Sequence, residues 1–261
     1  MPPRVRAFAL HLAGSAVVIA TLLVVVCVFW YPSPYFDYEG AIAPVRVLIG
    51  VDLVLGPLLT LLVFKPGKRL LWLDMTMIFL LQAAAFGYGT HALWSQRPLV
   101  VAFAVDSFVL VPAAELADSK WPDWLLENRP LRGPAVVYAE PKGGDYAMKV
   151  MLEGAPDIHK LPEQYRPLED NREAVLKRGV SLAELAKVSV TAAEAVKTVP
   201  AELIESTLAL PLHGHLYSGT VLVDRSSGKP AYHLDMDLYA ILTAEDSLTG
   251  QPDSKTGGDG G

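Results

Sequence analysis

The chain has 261 residues, 52% of them hydrophobic, with a formal net charge of −6 and a positive mean hydropathy of +0.32. An acidic balance excludes the basic patch that nucleic-acid binding normally leaves in a sequence, so no nucleic-acid partner is expected. The single cysteine, Cys27, excludes an intramolecular disulfide.

Arg4 and Arg6 make the amino terminus basic, and no Asp, Glu, Lys or Arg follows from Ala7 to Phe36. This run is well beyond the roughly 7–15 apolar residues of a signal-peptide core. We expect a first transmembrane helix at about 7–29, ending at the interfacial aromatic pair Trp30-Tyr31. Pro32 and Pro34 break the helix and push their neighbours to extended conformations. Asp37 and Glu39 make this loop acidic. A second span is expected at about 44–64, a tight basic turn through Lys65-Pro66-Gly67-Lys68-Arg69, and a third span at about 70–94. Runs of roughly 20 mostly apolar residues suit a bilayer. The positive-inside rule puts Arg4, Arg6, Lys65, Lys68 and Arg69 in the cytoplasm, and the acidic loop and everything after Trp94 across the membrane. In a Gram-negative cell that is the periplasm.

Beyond Arg97 the periodicity changes. Leu99–Val105 and Ser107–Val111 read as a hairpin or one bent strand. A short helix broken by Pro122 is expected in Ala113–Leu126, a strand at Ala135–Ala139 and a short helix at Asp145–Leu152. Glu169–Arg178 and Ser181–Val188 read as helices, with Ser181 and Glu184 forming a capping box. Leu208–Leu216, Thr220–Asp224 and Ala231–Asp235 read as strands. The Gly/Ser/Asp/Lys-rich end after about Asp246 is expected to be disordered. The expected architecture is three transmembrane α-helices (1–96), an α+β periplasmic domain (97–246) and a tail (247–261).

The residues Trp30-Tyr31-Pro32 with Tyr35-Phe36, Gly50-Val51-Asp52 through Gly56-Pro57-Leu58-Leu59-Thr60-Leu61, Asp74 with Leu80-Leu81-Gln82 and Tyr88-Gly89, and Arg97-Pro98 with Phe103, Val105-Asp106 and Phe108 stand in a specific order. In them the chain resembles the TfpX/TfpZ family of type IV pilin accessory proteins (FimB-like). The resemblance covers about the first 110 residues. It implies a non-enzymatic protein of the bacterial inner membrane that assists the type IV pilin subunit, modulating pilus assembly, surface display and hence twitching motility. A pilin's amino-terminal helix is itself membrane-embedded before assembly, so such a protein would need a surface that holds it.

Asp52 is the anomaly of the second span, because a carboxylate in hydrocarbon must be paired, protonated or solvated. At about 1.5 Å per residue, Asp52 and Gln82 each lie about 18 Å from the basic turn, at matching depth on antiparallel helices. They are expected to hydrogen-bond, or to share a polar interior with Thr60 or Ser15. Helix packing, pilin contact and proton or ion coupling are the open roles for Asp52, with packing the plainest. Gly56-Pro57 is expected to kink the helix. Gly87 and Gly89 thin the third helix and would admit another helix closely. The loop of Tyr31, Pro32, Pro34, Tyr35 and Phe36 is either a pilin-facing patch or an interfacial anchor with a rigid turn, and the residues alone favour the anchor.

His213, His215, His233, Asp235 and Asp237 would form an imidazole–carboxylate cluster if their strands paired; alternating solvent-facing polarity explains them equally. No nucleophile elbow, phosphate loop, dinucleotide fingerprint or His-Glu-x-x-His occurs, so no catalysis, cofactor or metal is expected. Membrane lipid is the other expected partner. The competing reading is a membrane-anchored periplasmic sensor or transport component with a ligand-binding outer domain.

Overall fold

The structure, a computed structural model, describes residues 1–116, 119–241 and 243. The expected tail at 247–261 lies outside the described residues, as does the end of the expected outer domain at 244–246.

Three helices are long and apolar enough to cross a membrane: α1 (Pro3–Trp30), α2 (Ile42–Val63) and α3 (Leu71–Gln96). They extend the expected spans by a few residues at most ends. Pro3 opens α1 at a position whose N–H needs no intrahelical partner. Most side chains along these helices are apolar, and many stay uncovered by protein, Leu62, Trp72 and Phe79 among them. A bilayer covers such faces, while helix formation satisfies every backbone group internally. α1 and α3 each pack along α2, which is therefore the centre of the bundle. They meet each other at their outer ends, where the Trp30 and Trp94 rings lie edge to face at 5.1 Å. At the basic turn, Lys68 Nζ pairs with Asp74 Oδ2 at 2.5 Å, which accounts for the acid near the start of α3.

Two stretches depart from α-helix. α1 finishes in a π-helical turn at Val26–Trp30, and α2 widens into one at Gly50–Leu55 before resuming at Gly56–Val63. The sequence predicts a kink at Gly56-Pro57. The structure has a π turn directly ahead of that proline, where the shifted hydrogen-bond register makes room for a residue without an N–H.

The chain then forms one seven-stranded mixed sheet, ordered β4-β3-β1-β2-β5-β6-β7. Its strands are β1 (Pro98–Ala104), β2 (Ser107–Pro112), β3 (Ala135–Ala139), β4 (Tyr165–Pro167), β5 (Thr207–His213), β6 (Ser218–Asp224) and β7 (Pro230–Leu234). The central hairpin β1–β2 turns at Val105-Asp106. β3 lies parallel to β1 and β5 parallel to β2, and the outer strands run antiparallel. Strands β1 and β2 are buried on both faces, which is why they read as continuous apolar runs. One face packs Phe103, Phe108, Leu210, Leu212 and Val221 against Val175. The other carries two clusters, one around Leu116, Leu125 and Tyr165, the second around Leu182, Leu185 and Leu222. The helix at Leu182–Val188 has the capping box anticipated at Ser181 and Glu184. The helix at Val190–Lys197 and strand β4 were not anticipated.

The imidazole–carboxylate cluster weighed from the sequence required β5 and β7 to be neighbours. β6 lies between them. His213 packs edge-on against Tyr239 and His233 against Tyr35. Among the described residues no group of three or more His, Cys, Asp or Glu is close enough to hold a metal ion.

The loop between α1 and α2 is bound to the sheet. Tyr38 enters the core cluster beside Phe103, Phe108 and Leu212. Its carbonyl accepts from the N–H groups of Leu216 (2.8 Å) and Tyr217 (3.2 Å), and its ring lies over Gly219. Glu39 Oε1 accepts from His215 N at 3.3 Å. Gly40, at φ +68°, turns the chain directly beneath Leu216. The rings that would have formed an outward patch are turned to the chain itself. Tyr31 is buried and donates its hydroxyl to Leu93 O at 2.8 Å, Phe36 meets Tyr31 edge-on, Tyr35 packs on His233, and Pro32 lies against Gly133. Pro34 is half-buried and Ser33 is exposed. Tyr31, Pro32, Tyr35 and Phe36 thus serve as a latch between bundle and sheet.

Two outcomes follow from this latch. A Cβ at Gly219 would stand 2.1 Å from the rigid Tyr38 hydroxyl. Gly219→Ala is therefore expected to destabilise the folded protein by about 1–3 kcal/mol in denaturant unfolding, the usual cost of overpacking. The second outcome concerns pH. Burial pushes the Glu39 carboxyl up to about 7, against the opposing pull of the His215 N–H, with the Glu115 charge adding to the rise. The folded state then holds this proton more tightly than the unfolded chain does. The contribution to stability is fully present below about 4.5 and is lost as pH rises through about 7. Unfolding midpoints measured across that window should fall with rising pH, and Glu39→Gln should flatten the dependence.

Candidate intramembrane site

Asp52 sits in the π turn of α2, only 6% exposed, and Gln82 on α3 is similarly buried. Gln82 Nε2 donates to Asp52 Oδ1 at 3.2 Å. The two residues placed at equal depth by counting are in contact. Gly56 makes this contact possible. It lies one turn after Asp52, and a Cβ there would come 2.0 Å from Gln82 Nε2. The missing side chain is the lane along which Gln82 reaches the carboxylate. Pro57 is buried beside Gly56 in the first turn of the resumed α-helix.

Deeper toward the basic turn, His11 Nδ1 and Thr60 Oγ1 lie 2.6 Å apart, a polar link between α1 and α2. Thr60 was an expected member of the polar interior. His11 escapes a reading of the first span by its Asp, Glu, Lys and Arg content alone. Its signal was the spacing of His11 with Gly14 and Ser15, which share one helical face.

Among the described residues Asp52 Oδ2 has no hydrogen-bond partner, and it is buried. It borders a cavity of about 450 Å³ between α1 and α3, lined by His11, Gly14, Ser15, Asp52, Gln82 and Ala83 among others. The walls are otherwise apolar, with Leu10, Val18, Phe79 and Phe86. Small residues on both walls let a helix backbone approach, and the free carboxylate oxygen would accept one hydrogen bond from a polar side chain which that helix carries. Gly89 does not contribute to this surface. Leu48 of α2 fills the space beside it, a Cβ there falling 2.7 Å from Leu48 Cδ2. Gly89 thus serves the protein's own packing, and Gly87 faces open space.

Gly56→Ala is expected to expel Gln82 from Asp52 and to lower the stability of the detergent-solubilised protein by about 1–3 kcal/mol. Gly14→Ala, where a Cβ meets nothing within 4 Å, is expected to leave stability unchanged. Thermal unfolding of both variants checks the contrast.

The geometry can be set beside known proteins. The model of the fimbrial assembly protein FimB family matches residues 1–40. A fimbrial assembly protein of serogroup E1 from Dichelobacter nodosus is 32% identical over 122 residues, 46% of this chain and 48% of that protein. The serogroup I protein of the same organism is 31% identical over the same lengths. The protein of serogroups C1 and C2 is 32% identical over 109 residues, covering 41% of this chain and 83% of the relative. The chain spans about half the length of the E1 and I relatives. No solved structure matches. With 83% of the C1 and C2 relative covered at 32% identity, the chain belongs to the FimB family of fimbrial assembly proteins.

Proposed function

We propose that this protein assists type IV pilus assembly by holding the membrane helix of the pilin subunit in the groove between α1 and α3 before the subunit is assembled. The observation that carries this reading is the unpartnered Asp52 Oδ2 in a groove with small residues on both walls. A carboxylate oxygen kept dry and unpaired in a bilayer is costly unless something completes it. A helix bringing one donor to that depth would both fill the cavity and complete the carboxylate. The relatives' names, fimbrial assembly proteins, supply the process.

In this reading the amino terminus is cytoplasmic and the bundle lies in the inner membrane, as the Arg and Lys distribution favours. The sheet domain, from about residue 97, faces the periplasm and receives the globular part of the pilin. The latch Tyr31–Ala41 keeps bundle and sheet in a fixed relation, so both halves of one client are met together. The work is binding and handing on, with no reaction catalysed, and changes in twitching motility follow from changed surface display.

Photo-cross-linking in cells tests this. A cross-linker at Ser15 or Ala83 is expected to capture pilin, and one at Leu58 on the uncovered face of α2 is not. Deletion is expected to lower surface pili. Equal capture from both faces, or normal piliation in the deletion, overturns the reading.

A further inference from the structure

The segment after the short helix Asp123–Glu127 comes back from the sheet to the outer end of α1. Gly133 N donates to Phe29 O at 3.0 Å, and the Arg132 guanidinium lies 5.5 Å from the Phe29 ring centroid. This brings Arg129, Leu131 and Arg132 to the level of Trp30 and Trp94, the aromatic ends of two spans. Aromatic residues of this kind mark the headgroup region of a bilayer. Leu131 is 94% exposed and Leu126 is 54% exposed, so the soluble domain presents bare aliphatic side chains at that level.

Arg97 follows α3 at the same place. Its guanidinium stacks 3.3 Å from the Trp94 ring centroid and donates to Trp94 O. Two adjoining clefts, of about 520 and 320 Å³, share Trp94, Arg97, Leu99 and Arg129, and among the described residues no carboxylate lines either. Among the described residues, Arg97, Arg129 and Arg132 have no carboxylate within ion-pair distance. Burial, and then the Arg129 charge, pulls the Arg97 pKa below its ordinary value. Like charges gathered beside a low-dielectric wall favour an anion between them.

We infer that Arg97, Arg129 and Arg132 bind the phosphate of an anionic phospholipid in the leaflet on the outer-domain side, with Leu126 and Leu131 dipping into the acyl boundary. The occupant is lipid because the guanidiniums stand at headgroup level, the clefts continue onto Trp94 and Leu99, and the loop's aliphatic side chains are left uncovered. Planar guanidinium forks suit phosphate oxygens better than ammonium groups do. The site sets the sheet domain at a fixed height and tilt over the bilayer, and it is independent of the client proposed for the groove.

The full-length protein in mild detergent, offered phosphatidylglycerol or phosphatidylcholine and read by native mass spectrometry, tests the site. Phosphatidylglycerol is expected to be retained preferentially. Arg129→Ala with Arg132→Ala, both exposed positions, is expected to cut that retention about thirtyfold, since each of the two basic residues near an anionic surface contributes about 1 kcal/mol. The lipid-free melting temperature should not change. Leu131→Asp, which leaves the arginines in place, is also expected to reduce retention and serves if the double variant folds poorly. Equal retention of the two lipids, or unchanged phosphatidylglycerol retention in a folded double variant or in Leu131→Asp, overturns the inference. Displacement of phosphatidylglycerol by an equal concentration of inorganic phosphate would assign the site to a free anion and overturn it too.

Discussion

A carboxylate in the apolar centre of a helix bundle governs the membrane half of this protein. Asp52 costs several kcal/mol in hydrocarbon unless donors reach it. Among the described residues one donor does, Gln82 Nε2, and its approach dictates its neighbours. Gly56 must lack a side chain, and α2 and α3 must run antiparallel at matched depth. The π turn around Asp52 absorbs the register change that Pro57 brings. The contact leaves Oδ2 facing the groove, so the interaction that orders the bundle also leaves a carboxylate oxygen unmet there. Packing and client binding, set out as alternatives for Asp52, are divided between its two oxygens in this account.

The second constraint is the latch. Between two membrane helices a loop of about ten residues could have been a simple solvent turn. Here Tyr38 is part of the sheet's core, and Gly214 and Gly219 leave the room it needs. The sheet therefore folds around a residue delivered by the membrane hairpin. Movement of α1 against α2 would pull on Tyr38, and disturbance of the sheet would reach the outer ends of the spans through Tyr31 and Leu93.

Much of this was legible in the sequence. The spans were, because a bilayer demands apolar side chains all round a helix. The β1–β2 hairpin was, because two apolar runs flank Val105-Asp106, and so was the Ser181 capping box. The Asp52–Gln82 contact was reachable by counting rise per residue, since antiparallel neighbours share depth. What escaped depended on tertiary context. Tyr31 and Tyr35 read as interfacial anchors because an aromatic ring at a span end has that bland explanation, and nothing local tells that Tyr38 meets a glycine some 180 residues later. β4 escaped because three residues ending in proline carry no alternation. β6 lying between β5 and β7 is a fact of sheet order, and it separates histidines that would meet only if β5 and β7 paired.

The most direct measurement of the central claim is surface piliation in cells carrying Asp52→Leu, with the membrane level of the protein measured alongside. Leucine fills the position without an acceptor for a client's donor. The account predicts that pili are lost from the surface out of proportion to any fall in the level of the protein, and that Asp52→Asn, which keeps a carbonyl oxygen as acceptor, restores part of them. Wild-type piliation with Asp52→Leu at undiminished protein level would contradict it.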